Sequence, residues 1–193
     1  MGFLDSLLGR SEPPKPDLDA LFALPSAALT LQVSAGFAPT GAGSVCFKAA
    51  EGTSFADAQA EVRALLDADA GPDVELSRDA YGYTWLLART APPDLPPDLP
   101  ALVTDLHAVN AGLADAGFGA SLLCSLVAFV SADGRRLAMV YLYKQGTWYP
   151  FAPCGDQQRD NGLELQVKAL LDRELTIEPD LGRWFPVWGA PGL

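Results

Sequence analysis

The run from Leu122 to Val130, LLCSLVAFV, carries no charge and is apolar on both sides of an extended chain. A strand exposed on one face alternates polar and apolar residues, so this pattern predicts a strand buried on both faces. Arg136 to Tyr143 repeats the pattern, and Asp133-Gly134 between them reads as a two-residue hairpin turn that sets the register. The two segments are therefore expected as adjacent antiparallel strands at the centre of a sheet. The rest of the chain must then cover both faces of that sheet.

Further strands are expected at Ala28 to Val33, Ser44 to Ala50, Val74 to Ser77, Tyr81 to Arg89 and Trp148 to Phe151, the last entered through a turn at Gln145-Gly146. Gly36 to Gly43 reads as a loop, and Gly41-Ala42-Gly43-Ser44 within it as plain turn chemistry, lacking the Lys and spacing of a phosphate loop. Asp17 to Leu24 reads as a short helix stopped by Pro25. A second helix starts at Ser54, with Phe55, Ala58, Val62, Leu65 and Leu66 as its apolar stripe. The strongest helix is Leu99 to Ala116, with Leu99, Leu102, Leu106, Val109 and Leu113 on one face and Gly117 as its stop. A last helix, Gly162 to Leu175, buries Leu163, Val167, Leu170 and Leu171.

Strands in adjacent pairs joined by short turns imply antiparallel pairing, and the intervening helices cover one face. The expected fold is an α+β two-layer sandwich, a mainly antiparallel sheet with helices on one side. Residues 1–16 stand apart as an apolar hook, MGFLDSLLGR, and a stiff linker, SEPPKP; residues 17–193 form one α+β domain. EVRALLD (Glu61 to Asp67) echoes QVKALLD (Gln166 to Asp172), which leaves open a duplication into halves 17–91 and 98–183, joined near the proline-rich Pro92 to Pro100.

Helices on one side leave the other sheet face to be shielded. The segments available are the hook, through Phe3, Leu4, Leu7 and Leu8, and the C-terminal segment, through Trp184, Phe185 and Trp188. Each either packs on the domain or serves as an anchor for a protein partner, and these seven residues are the candidate partner-binding set.

Chemistry is hard to assemble. The formal net charge is −11, so nucleic-acid phosphate and anionic lipid are repelled. Three cysteines, Cys46, Cys124 and Cys154, do not make a disulfide framework and suit a reducing compartment, and Cys154 is the expected exposed thiol. His107 is the sole histidine and reads as a partly exposed helix residue; no nucleophile elbow accompanies it. The spacing of the cysteines and His107 lacks a zinc knuckle. Asp67, Asp69 and Asp73 have the rhythm of a calcium loop, but Pro72 stands where its glycine belongs and Arg78 where its glutamate belongs. No catalytic residue, cofactor or metal is expected. The longest apolar run, Ala120 to Val130, is shorter than the about 20 residues a membrane-spanning helix needs.

MGFLDSLLGR, PDLDALFALPSAA, LVTDLHAVNAGL and GFGASLLCSL together resemble the PspA-associated family called PspAB, from Met1 to about the helix Gly162 to Leu175. Those are small bacterial and archaeal proteins, linked by gene neighbourhood to the phage-shock protein PspA and in some cases to an HtpX-type membrane metalloprotease. The resemblance carries no catalytic signature. It implies a role near envelope-stress machinery; with no active-site residues assembled and a reducing compartment suited by the cysteines, the expectation is a non-enzymatic, cytoplasmic accessory protein of a membrane-stress response. Its partner would be a PspA-like coiled coil, and any contact with the inner face of the membrane would run through that partner. Two alternatives stand beside this. One is a regulator or adaptor of the metalloprotease; the other is an enzyme or small-ligand binder with an unrecognised site.

Overall fold

A computed structural model describes residues 16–48, 74–90 and 96–193, with positions 56, 57, 60 and 64 also placed, as helix. The hook residues Phe3, Leu4, Leu7 and Leu8, the stripe Phe55, Ala58, Val62, Leu65 and Leu66, the turn Asp67 to Asp73 and the start of the proline segment lie outside the described residues. So does all of the echo Glu61 to Asp67 save position 64.

Among the described residues six strands form one antiparallel sheet. They are β1 (Phe37–Lys48), β2 (Glu75–Arg78), β3 (Tyr83–Arg89), β4 (Leu122–Ser131), β5 (Arg136–Leu142) and β6 (Thr147–Phe151), in the order β2-β3-β1-β4-β5-β6. Three helices pack against it: α1 (Leu24–Ala35), α2 (Leu99–Leu113) and α3 (Asn161–Leu171). A small ribbon, β7 (Pro153–Gly155) with β8 (Gln158–Arg159), leads into α3. The fold is the expected α+β class. β4 and β5 are antiparallel neighbours as expected, but with Leu126 opposite Val140 their register is one residue away from that of a two-residue Asp133-Gly134 turn, and the central pair is β1 with β4.

The turn between β4 and β5 differs in detail from expectation. Gly134 N–H donates to the Ser131 carbonyl at 2.9 Å and Ser131 N–H to the Arg135 carbonyl at 3.0 Å. The loop is thus three residues long, with Gly134 left-handed at φ 81° closing it.

Two corrections fall on the N-terminal half. Ala28 to Val33, expected as a strand, lies inside α1, and Pro25, expected to stop a helix, sits in the first turn of α1. Proline belongs there, because the first-turn N–H groups have no partner within the helix to lose. Leu24, Ala27, Ala28 and Leu31 form the buried side, and Gly36 at φ 73° ends the helix. Gly36 to Gly43, expected as a loop, is mostly strand β1 with an irregularity between Pro39 and Gly43. Gly41, at φ 77°, takes up that irregularity.

α2 holds the expected stripe. Leu99, Leu102, Leu106, Val109 and Leu113 are all buried, and the Asp98 carboxylate caps its start by accepting from the Ala101 N–H at 3.0 Å. In α3, Leu163, Val167 and Leu171 are buried as expected, while Leu170 is only partly so. Glu164 is buried there as well, accepting from the Ala152 N–H at 2.8 Å and from Arg159 Nε at 2.9 Å.

Strand alternation sorts the sheet faces. Val45, Val127, Met139, Tyr141 and Trp148 share the side of the helices. Cys46, Trp85, Cys124, Leu126, Val140, Tyr149 and Phe151 share the other.

Candidate functional site

The second face is covered by the C-terminal segment. After the short turn Leu181–Arg183, the chain runs across the sheet as an irregular strap. Trp184 is buried and stacks on Tyr149 with ring centroids 6.0 Å apart; its indole N–H donates to the Glu178 carbonyl at 3.0 Å. Trp188 meets Phe151 edge-on at 4.8 Å. The Tyr149 hydroxyl donates to the Phe185 carbonyl at 2.8 Å. Of the three aromatic residues proposed from sequence, Trp184 and Trp188 therefore serve to hold the strap down. Phe185 points out, with 59 % of its surface exposed.

The strap does not fill the space beneath it. A cavity of about 460 Å³ remains between strap and sheet. Its floor contains Cys46, Cys124, Trp85 and Tyr149, all buried. Val187 and Trp188 of the strap form a wall, and Asp79, Lys144, Gln145 and Arg183 stand at the mouth. Cys46 and Cys124 are directly opposed across the β1–β4 pairing, and both are free thiols. Hydrogen bonding to Cys124, followed by burial, pushes the Cys46 thiol far above the ordinary range, so it is a neutral, unreactive group. Burial does the same to the Tyr149 phenol. Cys154 is exposed, as expected.

At the mouth, Asp79 accepts from the Tyr81 N–H, the Tyr83 N–H and the Trp85 indole N–H, each at 2.9 Å. Burial raises its pKa, but the Trp85 bond and the backbone bonds outweigh it, and the carboxyl is held below its usual range. Arg183 lies 3.7 Å from a Glu178 carboxylate oxygen and 3.6 Å from one of Asp180, and donates to Gln145 Oε1 at 3.1 Å.

His107 sits partly buried on α2, its ring 5.0 Å from that of Phe22 and its Nε2 3.6 Å from Asp19 Oδ1. Among the described residues no nucleophile is paired with it. Among the described residues no three His, Cys, Asp or Glu side chains gather as metal ligands.

A second surface was not legible from sequence. The outward side of α1 and of the 3₁₀ turn before it (Leu18–Ala23) presents Phe22, Ser26, Leu29 and Val33, an i, i+4, i+7, i+11 row. Phe22 is 48 %, Leu29 65 % and Val33 87 % exposed. Between Ala20 and Ala35 there is no charged residue. Leu18–Ala35 is also the one segment among the described residues long and apolar enough, by length and composition, to cross a membrane. In this fold its inward residues Leu21, Leu24, Ala27, Ala28 and Leu31 are core.

A family model described as "PspA associated protein B" matches residues 1–192. No curated protein and no solved structure matches the chain.

Proposed function

Because the chain belongs to the PspA associated protein B family over nearly its whole length, we propose that it is a non-enzymatic accessory protein of a PspA-type membrane-stress response. It acts by binding a protein, and the partner that the family's description points to is PspA itself. Its place is the cytoplasm, with membrane contact only through that partner.

The observation that supports this reading is the outer row of α1. A helix on the surface of a globular protein normally turns charged or polar residues outward. α1 instead leaves Leu29 and Val33 more than half exposed, one turn apart, with Phe22 two turns earlier. Burying three such side chains against a partner is worth about 1.5–3 kcal/mol each before the costs of association. A second helix laid along the row, as in helix-to-groove recognition, would bury all three. The chain's net charge of −11 favours a partner with basic flanks and disfavours an anionic bilayer.

The test is calorimetric titration of the full chain with purified PspA, beside the double variant Leu29→Glu, Val33→Glu. Wild type is expected to bind, and the double variant to bind at least about tenfold more weakly with an unchanged melting curve. Equal binding by the variant would put the interface elsewhere. No binding to PspA, with retention on an HtpX-type metalloprotease, would replace this reading with the adaptor role.

A further inference from the structure

We propose that the cavity beneath the C-terminal strap is a binding site for a monoanionic amphiphile with a long apolar body, the chemistry of a fatty acid. The proposal is independent of the PspA reading, and its test contains no PspA.

The floor dictates the body of the ligand. The Trp85 indole N–H is spent on Asp79 Oδ2 at 2.9 Å, and the Tyr149 hydroxyl on the Phe185 carbonyl at 2.8 Å. The Cys46 and Cys124 thiols face each other across the strand pair. Leu123, Leu142, Pro186 and Val187 add apolar lining, while the exposed Tyr81 and Tyr83 line its outer part. A ligand carrying polar groups along its body would lose their hydrogen bonds to water and find no replacement there. An apolar chain or ring would lose nothing. The volume, about 460 Å³, lies within the roughly 300–1,000 Å³ typical of small-molecule sites.

The mouth dictates the head. Asp79 has both oxygens occupied by N–H donors. Arg183 is held by Glu178, Asp180 and Gln145. Lys144 is exposed at the rim and has no ion-pair partner among the described residues. Asp79 keeps its negative charge, but its oxygens are taken up by N–H donors; Lys144 is the cation at the opening without an ion pair among the described residues, and a carboxylate would meet it by a charge-assisted hydrogen bond.

Fluorescence titration of the full chain with cis-parinaric acid tests this, reading energy transfer from tryptophan, since Trp85 lines the floor. One molecule is expected to bind saturably per chain and to be displaced by palmitate. Lys144→Glu should weaken palmitate about tenfold while leaving 1-hexadecanol, the same chain without the charge, unaffected. Cys124→Phe and Val187→Trp each fill the cavity and should abolish binding while the chain still melts cooperatively. A signal that does not saturate, undiminished binding in a filled variant that folds, or palmitate affinity indifferent to Lys144→Glu would overturn the proposal. If neither filled variant folds, the Lys144→Glu comparison alone decides.

Discussion

Asp79 shows how one side chain organises the edge of the cavity. It follows β2, and its carboxylate accepts three N–H bonds from the turn and strand after it. Those bonds close the β2–β3 turn, where Gly82 is left-handed at φ 85°, and fix the Trp85 ring in the cavity floor. Hydrogen bonds to a charged acceptor are stronger than neutral ones, so Asp79→Ala should cost about 1–2 kcal/mol at neutral pH, the partial exposure of the site keeping it near the low end. The sign of the pH dependence follows from the depressed pKa. The carboxylate's contribution is complete above the unfolded-state value of about 3.9 and is lost as pH falls through the lower folded value. The stability gap between wild type and Asp79→Ala should therefore be full at about pH 7 and close as the pH is taken from about 5 towards 2. Urea unfolding at a series of pH values measures it, and a gap that stays constant would show that charge plays no part. In sequence Asp79 is one of several aspartates in an acidic region, with nothing to mark it out; its role appears only when the chain turns back and puts Trp85 within reach.

At the level of elements, what could be read from sequence was what rests on large residues in a regular pattern. The β4–β5 hairpin and the α2 stripe are of this kind. α1 misleads because its buried side is half alanine: Ala27 and Ala28 carry little hydrophobic signal, while Leu29, Leu31 and Val33 alternate as a strand would. The glycines at the start of β1 mislead for a related reason. Glycine signals a turn locally, yet Gly43 is there for packing. A Cβ at that position would lie 3.0 Å from Leu106 Cδ1, 3.0 Å from the Leu126 carbonyl and 3.3 Å from Leu102 Cδ2. The missing side chain lets α2 settle onto β1. Gly43→Val should push the helix off the sheet and cost about 1–3 kcal/mol, with the loss reported by thermal melting. A neutral or stabilising result would mean that α2 and β1 have slack between them. The cavity was beyond sequence for a topological reason: Cys46 and Cys124 meet only because β1 pairs with β4, and the strap reaches them from the far end of the chain.

For the molecule as a whole, the division of labour between the two ends of the chain decides what is left for a partner. Among the described residues, the sheet's second face is covered by the strap, through Trp184, Val187, Trp188 and Ala190, and its first by three helices. We propose the hook, with Phe3, Leu4, Leu7 and Leu8, as a second contact for the partner; in sequence residues 11–23 join it to α1. Two weak apolar contacts on one chain act together by effective concentration, so removing one should weaken capture without abolishing it. Deletion of Met1 to Arg10 is expected to leave circular dichroism and the melting curve unchanged and to reduce PspA retention in a pull-down. Combined with Leu29→Glu and Val33→Glu, it should remove retention altogether. A truncated chain that unfolds would make the hook part of the core. A truncated chain that folds and captures PspA as well as the full one would assign the whole interaction to α1, and retention surviving the combined variant would exclude both surfaces at once.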